Sequence, residues 1–127
     1  MKIFKIKIYN SFSDELKKYW NEFEKNSYHH IFRTFDWQKL WLDKHLDNKI
    51  KLINFTVLVF NNDELIMILP LNIKTFFTIK ILSWSGFPFS DYNSPLISKS
   101  HEISKDDLTL ICKQIFNIKK KFDCIIL

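Results

Sequence analysis

The sequence predicts one domain of the α/β (α+β) class, built on a mixed sheet in the order strand, helix, helix, three strands, helix, strand. Three observations lead there. Two stretches with helical periodicity occupy the first third of the chain, and β-branched and aliphatic runs fill its middle. A third helical stretch then stands between the last two strand-like runs, IKILSW and FDCIIL. Such a strand, helix, strand unit normally forms a right-handed parallel crossover. At 127 residues and 46% hydrophobic content the chain has the size for a single core.

FKIKIY, residues 4–9, alternates strictly and reads as a half-buried strand. Ser13 is placed to cap a helix whose apolar residues Leu16, Tyr19, Trp20 and Phe23 recur at helical spacing, with Asp14 and Glu15 in the first turn where the dipole favours them. After a polar break at residues 26–30, Thr34 is placed to cap a second helix, with Trp37, Leu40 and Trp41 on its core face and its end near residues 46–48.

From Lys51 the period changes. INFTVLVF and LIMILPL read as strands joined by NNDE, where Asn62 and Asp63 tolerate the positive φ of a tight hairpin. Pro70 cannot donate to a ladder, so the second strand is expected to end, bulge or lie unpaired there. Ser104 is placed to cap a helix running to about Lys120, with Leu108, Ile111, Cys112 and Ile115 as its buried stripe. FDCIIL lacks polar alternation, as a central strand covered on both faces would.

Composition narrows the function. Alanine is absent and Arg33 is the only arginine, a skew that runs through every segment and reads as coding bias. The net charge of +5 comes from scattered lysines, and the run Lys119–Lys121 suits the end of a helix, so nucleic-acid binding is the lesser reading. Cys112 and Cys124 lack zinc spacing and read as free buried thiols of a reducing compartment. No apolar run approaches a membrane span, and a cytoplasmic protein is the default. His29, His30, His45 and His101 have no spaced partners for a metal site and no serine or cysteine elbow for a hydrolytic triad. Phe76 and Phe77, in the loop before the third strand, are either packed under the sheet or a small exposed contact for a second half of the protein.

The stretch LSWSGFPFSDYNSPL, residues 82–96, holds the only glycine and two of the three prolines. A chain poor in turn residues concentrates them there because the loop needs a defined shape. It is either a cleft-lining loop or a rigid surface turn in which Asp91 bonds its own backbone and Tyr92 covers the core edge.

The element order, together with FRTFDWQKLW (32–41), ILPL (68–71), WSGFPFSDYNSPL (84–96) and KKFDCIIL (120–127), resembles the N-terminal half of the CelD/BcsL-like acyltransferases. These are FemAB-related proteins built from two GNAT-like halves and often linked to polysaccharide biosynthesis. The resemblance implies a GNAT-like sheet truncated after its fifth strand, a missing C-terminal half, and transfer of an acyl group from acyl-CoA, such as acetyl-CoA, to a small-molecule or saccharide acceptor. It makes Asp91 and Tyr92 candidate acceptor-site residues, supported by Trp84, Gly86 and Arg33. The last of these would reach an acceptor's carboxylate or phosphate, or pair with a neighbouring acid. The glycine-rich pyrophosphate loop of GNAT enzymes is missing from ISKSHEISKDDL, which carries Glu102, Asp106 and Asp107 instead. Acyl-CoA is therefore expected to bind mainly outside these residues, with no metal, and the chain alone is expected to be inactive. The alternative is a non-enzymatic interaction domain that pairs through an open strand edge.

Overall fold

Seven strands and three α-helices make up the described part of the chain, residues 3–45, 51–86, 93–118 and 122–127 of a computed structural model. β1 (Phe4–Tyr9) leads into α1 (Asp14–Glu24), where the Ser13 hydroxyl accepts the Leu16 N–H at 3.2 Å, the cap the sequence implies. A two-residue strand, β2 (Ser27–Tyr28), and a 3₁₀ turn (Ile31–Arg33) precede α2 (Phe35–His45). Then come β3 (Lys51–Asn61), β4 (Glu64–Phe76), β5 (Ile79–Trp84), β6 (Leu96–Ser98), α3 (Lys105–Phe116) and β7 (Cys124–Ile126).

The main sheet runs β1-β3-β4-β5-β7. Its first four strands are antiparallel neighbours, while β7 lies parallel to β5 with Ile81, Leu82 and Ser83 opposite Cys124, Ile125 and Ile126. This is the parallel return, by way of α3, that the sequence implies. The β3–β4 hairpin closes on Asn62 and Asp63, both at positive φ (50° and 63°) as expected of a two-residue turn whose twist matches the strands.

The sheet is covered on both faces. On one, Leu16, Trp20 and Phe23 of α1 and Phe35 of α2 pack with Leu58, Phe60, Ile68 and Leu96. On the other, Ile111 and Ile115 of α3 pack with Phe55, Val57, Leu69, Leu71, Ile73 and Leu82. Each buried Leu, Ile or Phe contributes roughly 1.5–3 kcal/mol, so these two layers dominate the stability of the fold.

Several expectations need correction. Pro70 neither ends nor bulges β4, but pairs opposite Thr56 in a strand that continues to Phe76. The Pro70 carbonyl accepts the Ser85 N–H at 2.9 Å on the β5 side, where the neighbouring strand leaves the sheet. The flank that lacks a proline N–H is thus one where no ladder continues. Two short strands, β2 and β6, went unforeseen; they pair with each other, and β6 pairs with β4. The buried face of α2 carries Phe35, Gln38 and Trp41, while Leu40 is 59% exposed, so the apolar face is rotated from the one implied by Trp37, Leu40 and Trp41. Phe35 takes the core position by packing edge-on against Trp20, with ring centroids 5.7 Å apart. The expected end of α2 near residues 46–48 lies outside the described residues.

α3 stops at Phe116, short of Lys120, and Leu108 and Cys112 are not fully buried. β7 is not a doubly covered central strand: among the described residues only β5 neighbours it, and Cys124 is exposed. The thiols are free but are not buried ones.

Candidate functional site

β5 and β6 lie along the same flank of β4 and run in the same direction. β5 pairs with residues 71–76 of β4 and β6 with residues 67 and 68. The chain therefore leaves one interrupted strand line opposite Pro70 and rejoins it opposite Ile68, an excursion whose described ends are residues 85–86 and 93–95. Gly86 stands at the departure with φ 94°, a left-handed turn that a residue with a Cβ adopts only at a cost. Of the turn residues concentrated in this stretch, Gly86 serves that departure.

Arg33 ties the two ends of the excursion together. Its side chain is 0% exposed. One terminal nitrogen donates to the Ser85 carbonyl at 2.9 Å and the other to Asn93 Oδ1 at 3.0 Å, so the guanidinium fork spans departure and return. The Trp84 ring lies 5.9 Å from the guanidinium carbon, within cation–π range. Burial lowers the Arg33 pKa to about 10, which still leaves the group charged at neutral pH.

The backbone that presents Arg33 is itself fastened. Trp20 Nε1 of α1 donates to the Arg33 carbonyl at 3.1 Å, and Gln38 Nε2 of α2 donates to the Phe32 carbonyl at 2.6 Å. Glu24 accepts the Phe35 N–H at 2.7 Å and so holds the start of α2 to the end of α1. Burial raises the pKa of that Glu24 carboxyl, against the lowering effect of the Phe35 N–H.

Next to this tie, a polar row crosses the sheet face shared with α1 and α2. Asn54, Asn72 and Ser83 stand opposite one another on β3, β4 and β5, with Thr56 one step along β3, and all four are buried. Ser83 donates to Asn72 Oδ1 at 3.1 Å, Thr56 donates to Asn54 Oδ1 at 2.8 Å, and Asn54 Nδ2 donates to the Tyr9 carbonyl at 3.3 Å. Asn72 Nδ2 and Gln38 Oε1 are buried without a hydrogen-bond partner among the described residues. Leaving such a group unmet costs about 1–3 kcal/mol, so an apolar face would be the cheaper construction here.

Of the residues singled out in the sequence, Arg33, Trp84 and Gly86 are brought together. Asp91 and Tyr92 lie outside the described residues. Sequence reasoning missed Asn93 and Ser85, which hold the guanidinium, and the row Asn54, Thr56, Asn72 and Ser83. The lone arginine was the available signal for the former. For the latter it was the polar residues interrupting otherwise apolar strands.

The start of α3 has a different character. The Ser104 hydroxyl accepts the Asp107 N–H while Asp107 Oδ2 accepts the Ser104 N–H, both at 3.1 Å. This capping box fills the helix terminus with the chain's own carboxylate, so it does not fit a pyrophosphate. A separate open cleft of about 750 Å³ lies between α1, the start of β4 and β6, floored by Tyr19, Phe23 and Leu65. Its carboxylates are already engaged: Glu15 by Lys7 at 2.7 Å, Glu22 by Lys25 at 2.9 Å and Glu64 by His101 at 3.2 Å. The Lys7 contact holds the Glu15 carboxyl below its usual range. No cluster of three potential metal ligands occurs among the described residues. No protein-family model matches the chain, and no characterised protein or solved structure shows significant similarity to it.

Proposed function

We propose that the chain is the N-terminal, acceptor-side half of an acyl-CoA-dependent N- or O-acyltransferase of GNAT-like fold, similar to the CelD/BcsL-like enzymes, acting on a small-molecule or saccharide acceptor in the cytoplasm. The observation that supports this reading is the parallel pairing of β5 and β7 beside a loop that leaves the sheet at Gly86 and is tied at both ends by Arg33. Open α/β sheets commonly bind ligands past the ends of such strands. The loop joining Gly86 to Asn93 carries Asp91 and Tyr92, the residues assigned to the acceptor.

In this reaction an acceptor amine or hydroxyl attacks the thioester carbonyl, a base takes its proton, and CoA leaves as the thiol. The capped, acidic start of α3 supports a reading in which acyl-CoA is held by the other half of the enzyme. Thiol release from acetyl-CoA, measured with amino and neutral monosaccharides, tests the proposal. The 127 residues alone should release none. The same residues extended into the coding sequence that follows Leu127 should release CoA, and Asp91→Ala should lower that rate at least about tenfold, in line with losing a general base or a positioning contact. Transfer by the 127 residues alone, or an extended protein indifferent to Asp91→Ala, would refute it.

The exposure of Cys124 and Ile126 on β7 favours a second reading, a non-enzymatic domain that pairs through this strand edge. Concentration-dependent association lost in Ile125→Pro, without any acyl transfer by the extended protein, would select it.

A further inference from the structure

The hairpin joining β4 to β5 ends in an aromatic tip. Phe77 is 88% exposed, Phe76 52% and Ile79 50%. Phe76 and Ile79 form the last cross-strand pair, and the Phe76 and Phe77 rings meet edge-on with centroids 4.8 Å apart. Phe77 has φ 56°, in the left-handed region that Gly or Asn occupies readily and that costs a bulky residue about 1–2 kcal/mol. The turn thus carries a large apolar side chain at a position where it weakens the fold and where none of the described residues covers it. Strain retained at an exposed aromatic points to a use outside the fold.

The charges behind the tip indicate what that use is. One step back from the Phe76–Ile79 pair, Thr75 stands opposite Lys51 on β3 and Lys80 on β5, so two exposed lysines flank it. Lys74, on the opposite sheet face and half-buried, follows one residue later. At about 3.4 Å per residue, all three stem from within roughly two residues of the aromatic pair. Among the described residues at this end, Asp123 is an acid whose Oδ2 accepts the Lys80 N–H at 2.7 Å. A convex apolar tip backed by a lysine collar, on a chain of net charge +5, has the chemistry of the boundary between anionic headgroups and acyl chains.

We propose that this tip docks the protein reversibly on an anionic lipid surface, with Phe76, Phe77 and Ile79 entering the headgroup boundary and Lys51, Lys74 and Lys80 facing the lipid phosphates. The site is separate from the Arg33 loop and does not depend on the acyltransferase reading.

Co-sedimentation of the intact chain with phosphatidylcholine vesicles, with and without phosphatidylglycerol, tests it. Binding should require phosphatidylglycerol and weaken with salt. Phe77→Asn should weaken it about ten- to a hundredfold, the loss expected for one large apolar side chain. Because Asn suits the left-handed turn, this variant should be at least as stable to urea as the parent, so loss of binding cannot be attributed to misfolding. Lys51→Glu with Lys80→Glu should abolish the phosphatidylglycerol dependence. Absence of vesicle binding, or binding unchanged by either variant, overturns the proposal. So does self-association that Phe77→Asn removes in a chain that ignores vesicles, since the tip would then be a protein contact.

Discussion

Arg33→Met keeps a long apolar stem in place while removing the guanidinium fork, so it isolates the tie between the two ends of the residue 85–95 excursion. The charge-assisted hydrogen bonds lost include those to the Ser85 carbonyl and to Asn93 Oδ1. At about 1.5–3 kcal/mol each, the variant should lose about 3–6 kcal/mol, a large share of the roughly 5–15 kcal/mol typical of a domain. Equilibrium unfolding in urea reads this directly. With a slope of about 1–3 kcal/mol/M, the midpoint should fall by more than about 1 M. The neighbouring Trp84 gives a fluorescence signal that should change even before unfolding, because its cation partner is gone. Amide exchange adds position: the Ser85 N–H, bonded to the Pro70 carbonyl, should exchange faster in the variant, while amides of the β3–β4 ladder should follow only the global loss. A destabilisation below about 1 kcal/mol with Ser85 protection unchanged would refute the reasoning, since solvent would then be replacing the fork without penalty.

Other outcomes follow from the same geometry. The Glu24 pKa is raised in the folded state, so its proton is held more tightly there than in the unfolded chain, and its stabilising contribution is complete at low pH. It is lost as pH rises from the ordinary value of 4.5 through the raised one, so the stability of Glu24→Gln relative to the parent should increase across that window and then level off. Unfolding midpoints measured from pH 4 to 8 check this; a difference that shrinks with pH contradicts it. On the polar row, Asn72→Val alone strands the Ser83 hydroxyl that Asn72 now accepts, whereas Asn72→Val with Ser83→Ala removes both groups and the unmet Nδ2. The double variant should be more stable than the single by about 1–2 kcal/mol in a double-mutant cycle. Equal stability would mean that the row is already wet.

Much of this fold was legible because its signals are local. Ser13, Ser104, the Asn62–Asp63 turn and the strict alternation of β1 each act within a few residues, and the crossover from β5 to β7 follows from chirality. What was illegible depends on partners distant in sequence. β2 and β6, at two and three residues, carry too few positions to show any period, and they exist because each supplies the other's ladder. β7 read as central because an apolar run states nothing about how many neighbours it has.

The polar row shows the limit most sharply. At the hairpin turn Asn61 faces Glu64, and that register carried straight back would set Asn54 opposite Leu71. An irregularity between Val59 and Phe60 shifts the pairing by one, which places Asn54 opposite Asn72 and gathers the polar residues on one face. Arg33 was singled out for its rarity, but its burial and its bonds to Ser85 and Asn93 depend on where the chain leaves the sheet and where it rejoins it.

The proposed function requires that residues around Gly86 receive an acceptor while the α3 terminus leaves CoA alone. Amide and indole chemical shifts of the isotope-labelled chain, titrated separately with amino sugars and with acetyl-CoA, test both halves of that statement. An amino sugar should move the Ser85, Gly86 and Asn93 amides and the Trp84 indole, and acetyl-CoA should leave Ser104 through Asp107 where they were. Shifts from acetyl-CoA centred on Ser104 and Asp107, or from sugars confined to the cleft of Tyr19, Phe23 and Leu65, would contradict it.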